Sequence, residues 1–151
     1  MILEIDQSGR VEETNKPTVI GVSNGQSYSL MIDAKEKRSI LAHLKEFKPK
    51  WIGPRGLALV FAELVCIALE AFDTKEVDLI VIDLEYPGYE VEIRDRLLFR
   101  LRRRGMNTKQ IVFQSIGKSS NSHAVASKTF KRILLANLKI NANQFFGRLR
   151  K

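Results

Sequence analysis

A chain of 151 residues that is 44% apolar is long enough for one domain with a sizeable core, and its single cysteine, Cys66, excludes an internal disulfide framework or a cysteine-based zinc site. It has no apolar run of about eighteen residues, so no transmembrane span is expected. No secretory leader pattern precedes the first strand pattern, which gives the expectation of a soluble, cytoplasmic protein. A net charge of +8 favours polyanionic partners without selecting among them.

The chain opens with strand patterns. Met1–Ile5 reads as a first strand, and residues 6–17, with Ser8-Gly9 and Pro17, read as a loop or hairpin connection. Thr18–Val22 and Ser27–Ile32 read as two further strands joined by the hairpin signal Asn24-Gly25. Three consecutive strands of this kind most simply form an antiparallel meander.

Helix patterns follow. Over Lys35–Phe47 the residues Ile40, Leu41, Leu44 and Phe47 share one face. Pro49, Gly53 and Pro54 break the chain, and Leu57–Phe72 is apolar nearly all round, which predicts a helix packed between other elements. Val77–Ile82 is continuously apolar enough for a central strand covered on both faces. Glu92–Arg104 predicts a charged helix with Ile93, Leu97, Leu98 and Leu101 as its stripe and Gly105 as its C-cap. Gln110–Ile116 reads as a fifth strand and Gly117–Ser122 as a polar loop. A last helix is expected from Ser122 toward Leu138, followed by a short basic tail in which Phe145 and Phe146 pack.

The order β-β-β-α-α-β-α-β-α, with no linker or repeat, predicts a single α/β domain over residues 1–151: a mixed sheet with helices on its faces. The first strand then lies centrally, beside Val77–Ile82.

Two acidic segments carry the chemistry. Asp6 closes the first apolar run, and Asp83 closes the run Leu79–Ile82. If the two strands adjoin, these carboxylates can share a divalent cation, the oxygen-ligand chemistry of Mg²⁺ or Mn²⁺. Glu85, two residues beyond Asp83, reads first as solvent-facing and alternatively as an auxiliary acid. His43 has no partner at metal-ligand spacing, and Gly53-Pro54-Arg55-Gly56 lacks the ending of a phosphate-gripping loop.

The motifs Asp6-Gln7-Ser8-Gly9-Arg10, Ile32-Asp33-Ala34-Lys35, Ile82-Asp83 and Ser122-His-Ala-Val-Ala-Ser-Lys128, in this order, resemble the ribonuclease H-like fold. The likeness is nearest the type 2 ribonuclease H branch and its uncharacterised archaeal relatives, and spans roughly residues 1–135. It implies that Asp6 and Asp83 hold catalytic metal, and that Arg10 belongs to a loop reading the nucleic acid. The chain departs from the pattern at Gln7, where the family has a glutamate, and at Val11, where it has a glycine. It also lacks the acid preceding the last helix, where the loop offers Asn121 and His123 instead.

The resemblance thus implies a catalytic set of Asp6, Asp83, Gln7 and His123, with Mg²⁺ or Mn²⁺ as cofactor. Arg10, Lys118, Lys128, Lys131 and Arg132 would contact nucleic acid. The arginines from Arg94 to Arg104 form the densest basic run, but helical spacing spreads them around the circumference. A metal-dependent nuclease is one reading. A catalytically inactive module that binds nucleic acid or a protein partner, or that forms a homodimer, is the other, and the altered acidic set favours it.

Overall fold

The computed structural model describes residues 1–51, 53–104, 110–118 and 120–149. Its strands are β1 (Ile2–Ser8), β2 (Thr18–Ser23), β3 (Ser27–Ile32), β4 (Leu79–Asp83), β5 (Gln110–Gln114) and β6 (Leu138–Ile140). Its helices are α1 (Ala34–Phe47), α2 (Gly53–Leu69), α3 (Glu90–Arg103), α4 (Asn121–Phe130) and α5 (Ala142–Leu149). The strands form one mixed sheet in the order β5-β4-β1-β2-β3-β6. β1, β2 and β3 are the expected antiparallel meander. β4 lies parallel to β1, and β5 parallel to β4.

Period-two alternation assigns the two faces of the sheet. Leu3, Ile5, Ile20, Val22, Leu30, Ile32, Ile80 and Ile82 join the main core under α1, α2, α3 and α5. Val19 and Met31 face the other way and meet Ala126 of α4. α2 is buried over almost its whole surface, as its all-round apolar sequence requires. It ends at Leu69, sooner than the expected 72, and it starts earlier than 57 because Pro54 fits its first turn, where a missing N–H costs nothing.

α1 carries its inward stripe at Lys37, Ile40 and Leu44. Lys37 is an unexpected member of that stripe. Its Nζ donates to the carbonyls of Arg10 and Glu13 and to the Thr18 hydroxyl, at 3.1, 2.6 and 3.0 Å. These bonds tie the β1–β2 connection to the helix.

The C-terminal part differs from the expectation. α4 ends at Phe130, not near Leu138. Arg132 takes the left-handed conformation, with φ 61°, and the amides of Ile133 and Leu134 both turn back to the Lys128 carbonyl. This is the hydrogen-bonding logic of a left-handed helix cap. The apolar residues Ile133, Leu134 and Leu135 mimic a helical stripe in sequence, yet all three are exposed. The chain then adds β6 parallel to β3, and the tail forms α5. Phe145 is fully buried there, and Phe146 packs on His43. The predicted C-cap Gly105 lies outside the described residues.

No helix among the described residues is long and apolar enough to cross a membrane.

Two glycines let α4 and the β1 turn come close. A Cβ on Gly21 would meet the Ser122 carbonyl oxygen at 2.5 Å and Ala126 Cβ at 2.9 Å, so β2 accepts α4 only without a side chain there. Gly9 has φ +76°, and a Cβ there would run into the Pro17 carbonyl oxygen and the Phe130 ring. We expect Gly21→Ala to lift α4 from the sheet and cost about 1–3 kcal/mol. Urea unfolding of the variant checks this; unchanged stability would contradict the close packing.

Candidate metal centre

In the parallel β1–β4 pair, Ile5 stands opposite Ile82. The next residue of each strand is an aspartate, so Asp6 and Asp83 project side by side on the face that carries α4. Glu85 joins them from the loop after β4. The three carboxylates each offer an oxygen within 4.8 Å of the others. Hard divalent cations bind oxygens at about 2.0–2.6 Å, so oxygens on opposite sides of one ion lie about 4–5 Å apart. The three acids therefore fit a shared divalent cation.

Each acid is held by neighbouring structure. Asp6 is buried, and its Oδ1 accepts from the Gln7 amide at 2.8 Å. Its Oδ2 accepts from Nδ1–H of His123 at 2.7 Å. Ser120 caps α4 by accepting from the His123 amide at 3.1 Å, which fixes His123 in the first turn. With Nδ1 committed to Asp6, the other ring nitrogen of His123 is left for a metal or a proton, the usual division of labour in carboxylate–histidine pairs. Asp83 Oδ1 accepts from the Ile116 amide at 2.7 Å. β5 stops at Gln114, two residues short of the expected end, and the chain beyond it delivers that donor.

The electrostatics are those of a site short of cations. Burial pushes the Glu85 carboxyl up to about 8; a hydrogen bond with Asp83 and the charges of Asp83 and Asp6 add to the rise, and Arg10 opposes it. Burial also raises Asp6, against the hydrogen bonds from Gln7 and His123.

Gln7 does not join this cluster. As the neighbour of Asp6 on a strand, it points to the opposite face, where Oε1 accepts from the Tyr86 hydroxyl at 3.0 Å. Tyr86 in turn packs on Phe61 of α2. The side-chain nitrogen Nε2 of Gln7 is buried without a hydrogen-bond partner among the described residues. β1 runs on to Ser8, past the expected end at Ile5, so Asp6 and Gln7 lie in the strand and not in the connection, and alternation along it separates them. Arg10 is likewise engaged locally. It stacks on Tyr86, pairs with Glu12 at 3.3 Å and donates to the Glu85 carbonyl. It braces the loop that carries Glu85.

No family model matches the chain, and no curated protein or solved structure matches it either.

Lys118, Lys128, Lys131 and Arg132 are exposed, and none pairs with a carboxylate among the described residues. Lys118 lies two residues beyond Ile116, whose amide holds Asp83. Lys128 is on the outer side of α4, while Lys131 and Arg132 follow its last turn. Of the arginine run, Arg96 and Arg100 turn inward to Glu63 of α2, so α3 is no uniform basic stripe.

Asp33 does not cap α1 with its side chain and pairs instead with Lys139 at 2.8 Å. Glu85 is the site residue that composition and period undervalued. Its signal was its position two residues beyond a strand-end aspartate.

The raised Glu85 carboxyl contributes stability that is fully present below its ordinary value of 4.5 and lost as pH rises through about 8. We expect metal-free protein to lose thermal stability across that window and Glu85→Gln to lose less. Mn²⁺ affinity should rise across the same window, because binding displaces the Glu85 proton. Melting curves and calorimetric titrations over this range check both; a flat wild-type profile would contradict the clustering.

Proposed function

We propose that this protein is a ribonuclease H-like, nucleic-acid-processing enzyme that uses Mg²⁺ or Mn²⁺ to hydrolyse phosphodiesters in RNA–DNA or structured substrates. The observation that carries the reading is the convergence of Asp6, Asp83 and Glu85 from adjacent parallel strands onto one point. The central first strand beside β4, with an antiparallel meander on its other side, agrees with the fold that the sequence motifs resemble.

Asp6, Asp83 and Glu85 would hold the cation. A bound cation would neutralise phosphate charge and make a coordinated water easier to deprotonate. His123, oriented through Nδ1 by Asp6, would accept the proton of the attacking water at Nε2. That water's oxygen forms the new bond to phosphorus as the scissile P–O bond breaks. Asp83 is kept in place by the Ile116 amide. Lys118, Lys128, Lys131 and Arg132 would hold phosphates of the duplex, which positions the substrate without reading its bases. Arg10 would act through the Glu85 loop as well as toward phosphate.

A second reading has its own support. Gln7 is neutral and sits on the far face, and α4 brings a histidine in place of an acid. A ribonuclease H-like module that binds nucleic acid or a partner protein without cleaving would have this reduced set.

The test is cleavage of end-labelled RNA–DNA hybrids, and of duplexes with a single ribonucleotide, in Mg²⁺ or Mn²⁺. Asp6→Asn and Asp83→Asn should each lower the rate by about a hundredfold or more. His123→Ala should lower it by about a hundredfold. Unchanged cleavage by folded D6N and D83N would refute the assigned roles, and no cleavage by folded, cation-binding wild type would establish the module.

A further inference from the structure

The main-core side of the molecule holds a second site of opposite charge. α2, α3 and α5 enclose a cavity of about 330 Å³ on the far side of the sheet from the acidic cluster. Its floor is Cys66 and Ile67 of α2, and its walls include Arg100, Arg103, Arg104 and Arg148.

Glu63 and Glu70 also line it, and both carboxylates are already paired with arginines. Glu63, nearly fully buried, accepts from both Arg96 and Arg100. Glu70 accepts from Arg148 Nε through both of its oxygens, at 3.0 and 3.1 Å. Arg103 and Arg104 have no carboxylate partner among the described residues. Arg104, with Arg96 and Arg100, is nonetheless close enough to act electrostatically on the Cys66 thiol. Burial pushes that thiol up, so the floor stays neutral and adds no counter-charge.

We propose that this cavity binds the phosphate group of a small phosphate monoester. Two guanidiniums that line one cavity without a carboxylate partner among the described residues, Arg103 resting on the Phe99 ring, match a dianion, and their planar forks suit phosphate oxygens better than a point charge would. Its volume lies at the lower end of the range for small-molecule pockets, about 300–1,000 Å³, and is too small for a duplex. The buried Glu63 fixes Arg100 so that the wall is built before a ligand arrives. This site is independent of the acidic cluster and of any cation there.

The test is calorimetric titration of the full chain in EDTA with inorganic phosphate, adenosine 5′-monophosphate and adenosine. Phosphate and the monophosphate should bind once per chain, and adenosine should not. The R103Q/R104Q variant changes two exposed positions, so folding should be preserved, and circular dichroism verifies this. It should bind about ten- to a hundredfold more weakly, whereas Asp6→Asn should bind as wild type does. A 5′-phosphorylated oligonucleotide that depends on the same two arginines would place the phosphate at a strand end; response to the monophosphate alone would make it a free monoester. Absence of phosphate binding by wild type, equal affinity in R103Q/R104Q, or equal binding of adenosine would each overturn the proposal.

Discussion

Parallel pairing of β1 with β4 places Asp6 and Asp83, which are far apart in the sequence, next to each other at the ends of two central strands. The rest of the site depends on that register. A shift of one residue along β4 would turn Asp83 to the opposite face, because side chains alternate along a strand. The register is held by the apolar set Leu3, Ile5, Ile80 and Ile82 on the main-core side. The carboxylates are thus placed by the burial of their neighbours, and the like-charge repulsion between them is overcome by the core beneath.

Electrostatic repulsion nevertheless leaves its mark. The amides of Gln7 and Ile116 and the ring of His123 supply hydrogen bonds to the two aspartates, but no lysine or arginine side chain among the described residues forms an ion pair with either. Arg10, the nearest cation in the loop, spends its side chain on Glu12, Tyr86 and a carbonyl. Burial first, and then the charges of Asp83 and Asp6, raise the Glu85 carboxyl, and a divalent cation would answer the negative charge accumulated there. The basic excess of the chain lies elsewhere, on exposed lysines and on the arginines of α3. Charge is therefore segregated: acids converge on the α4 face, while arginines gather around the cavity between α2, α3 and α5.

Much of this was legible in the sequence, for physical reasons that can be named. Alternation and the Asn24-Gly25 turn defined the opening meander, and the uninterrupted apolar run before Asp83 marked a strand covered on both faces. Local patterns were less informative at the C-terminal end. Ile133, Leu134 and Leu135 continue a helical apolar pattern, but a left-handed turn at Arg132, which has no glycine to announce it, ends α4 early. The short β6 gains its stability from pairing with β3, a non-local term that a three-residue pattern does not carry. Gln7 was grouped with Asp6 through family likeness; β1 extends to Ser8, beyond the expected end at Ile5, and its two-residue period sets them on opposite faces. Lys37 could not have been read as buried, because the acceptors that satisfy it come from the loop between β1 and β2.

Diffraction at the manganese absorption edge from crystals soaked in Mn²⁺ tests the central claim most directly. The account predicts an anomalous peak bounded by the carboxylates of Asp6, Asp83 and Glu85, with His123 still held by Asp6 or turned to the ion. Crystals that preserve the β1–β4 register yet show no peak between these three acids would contradict it.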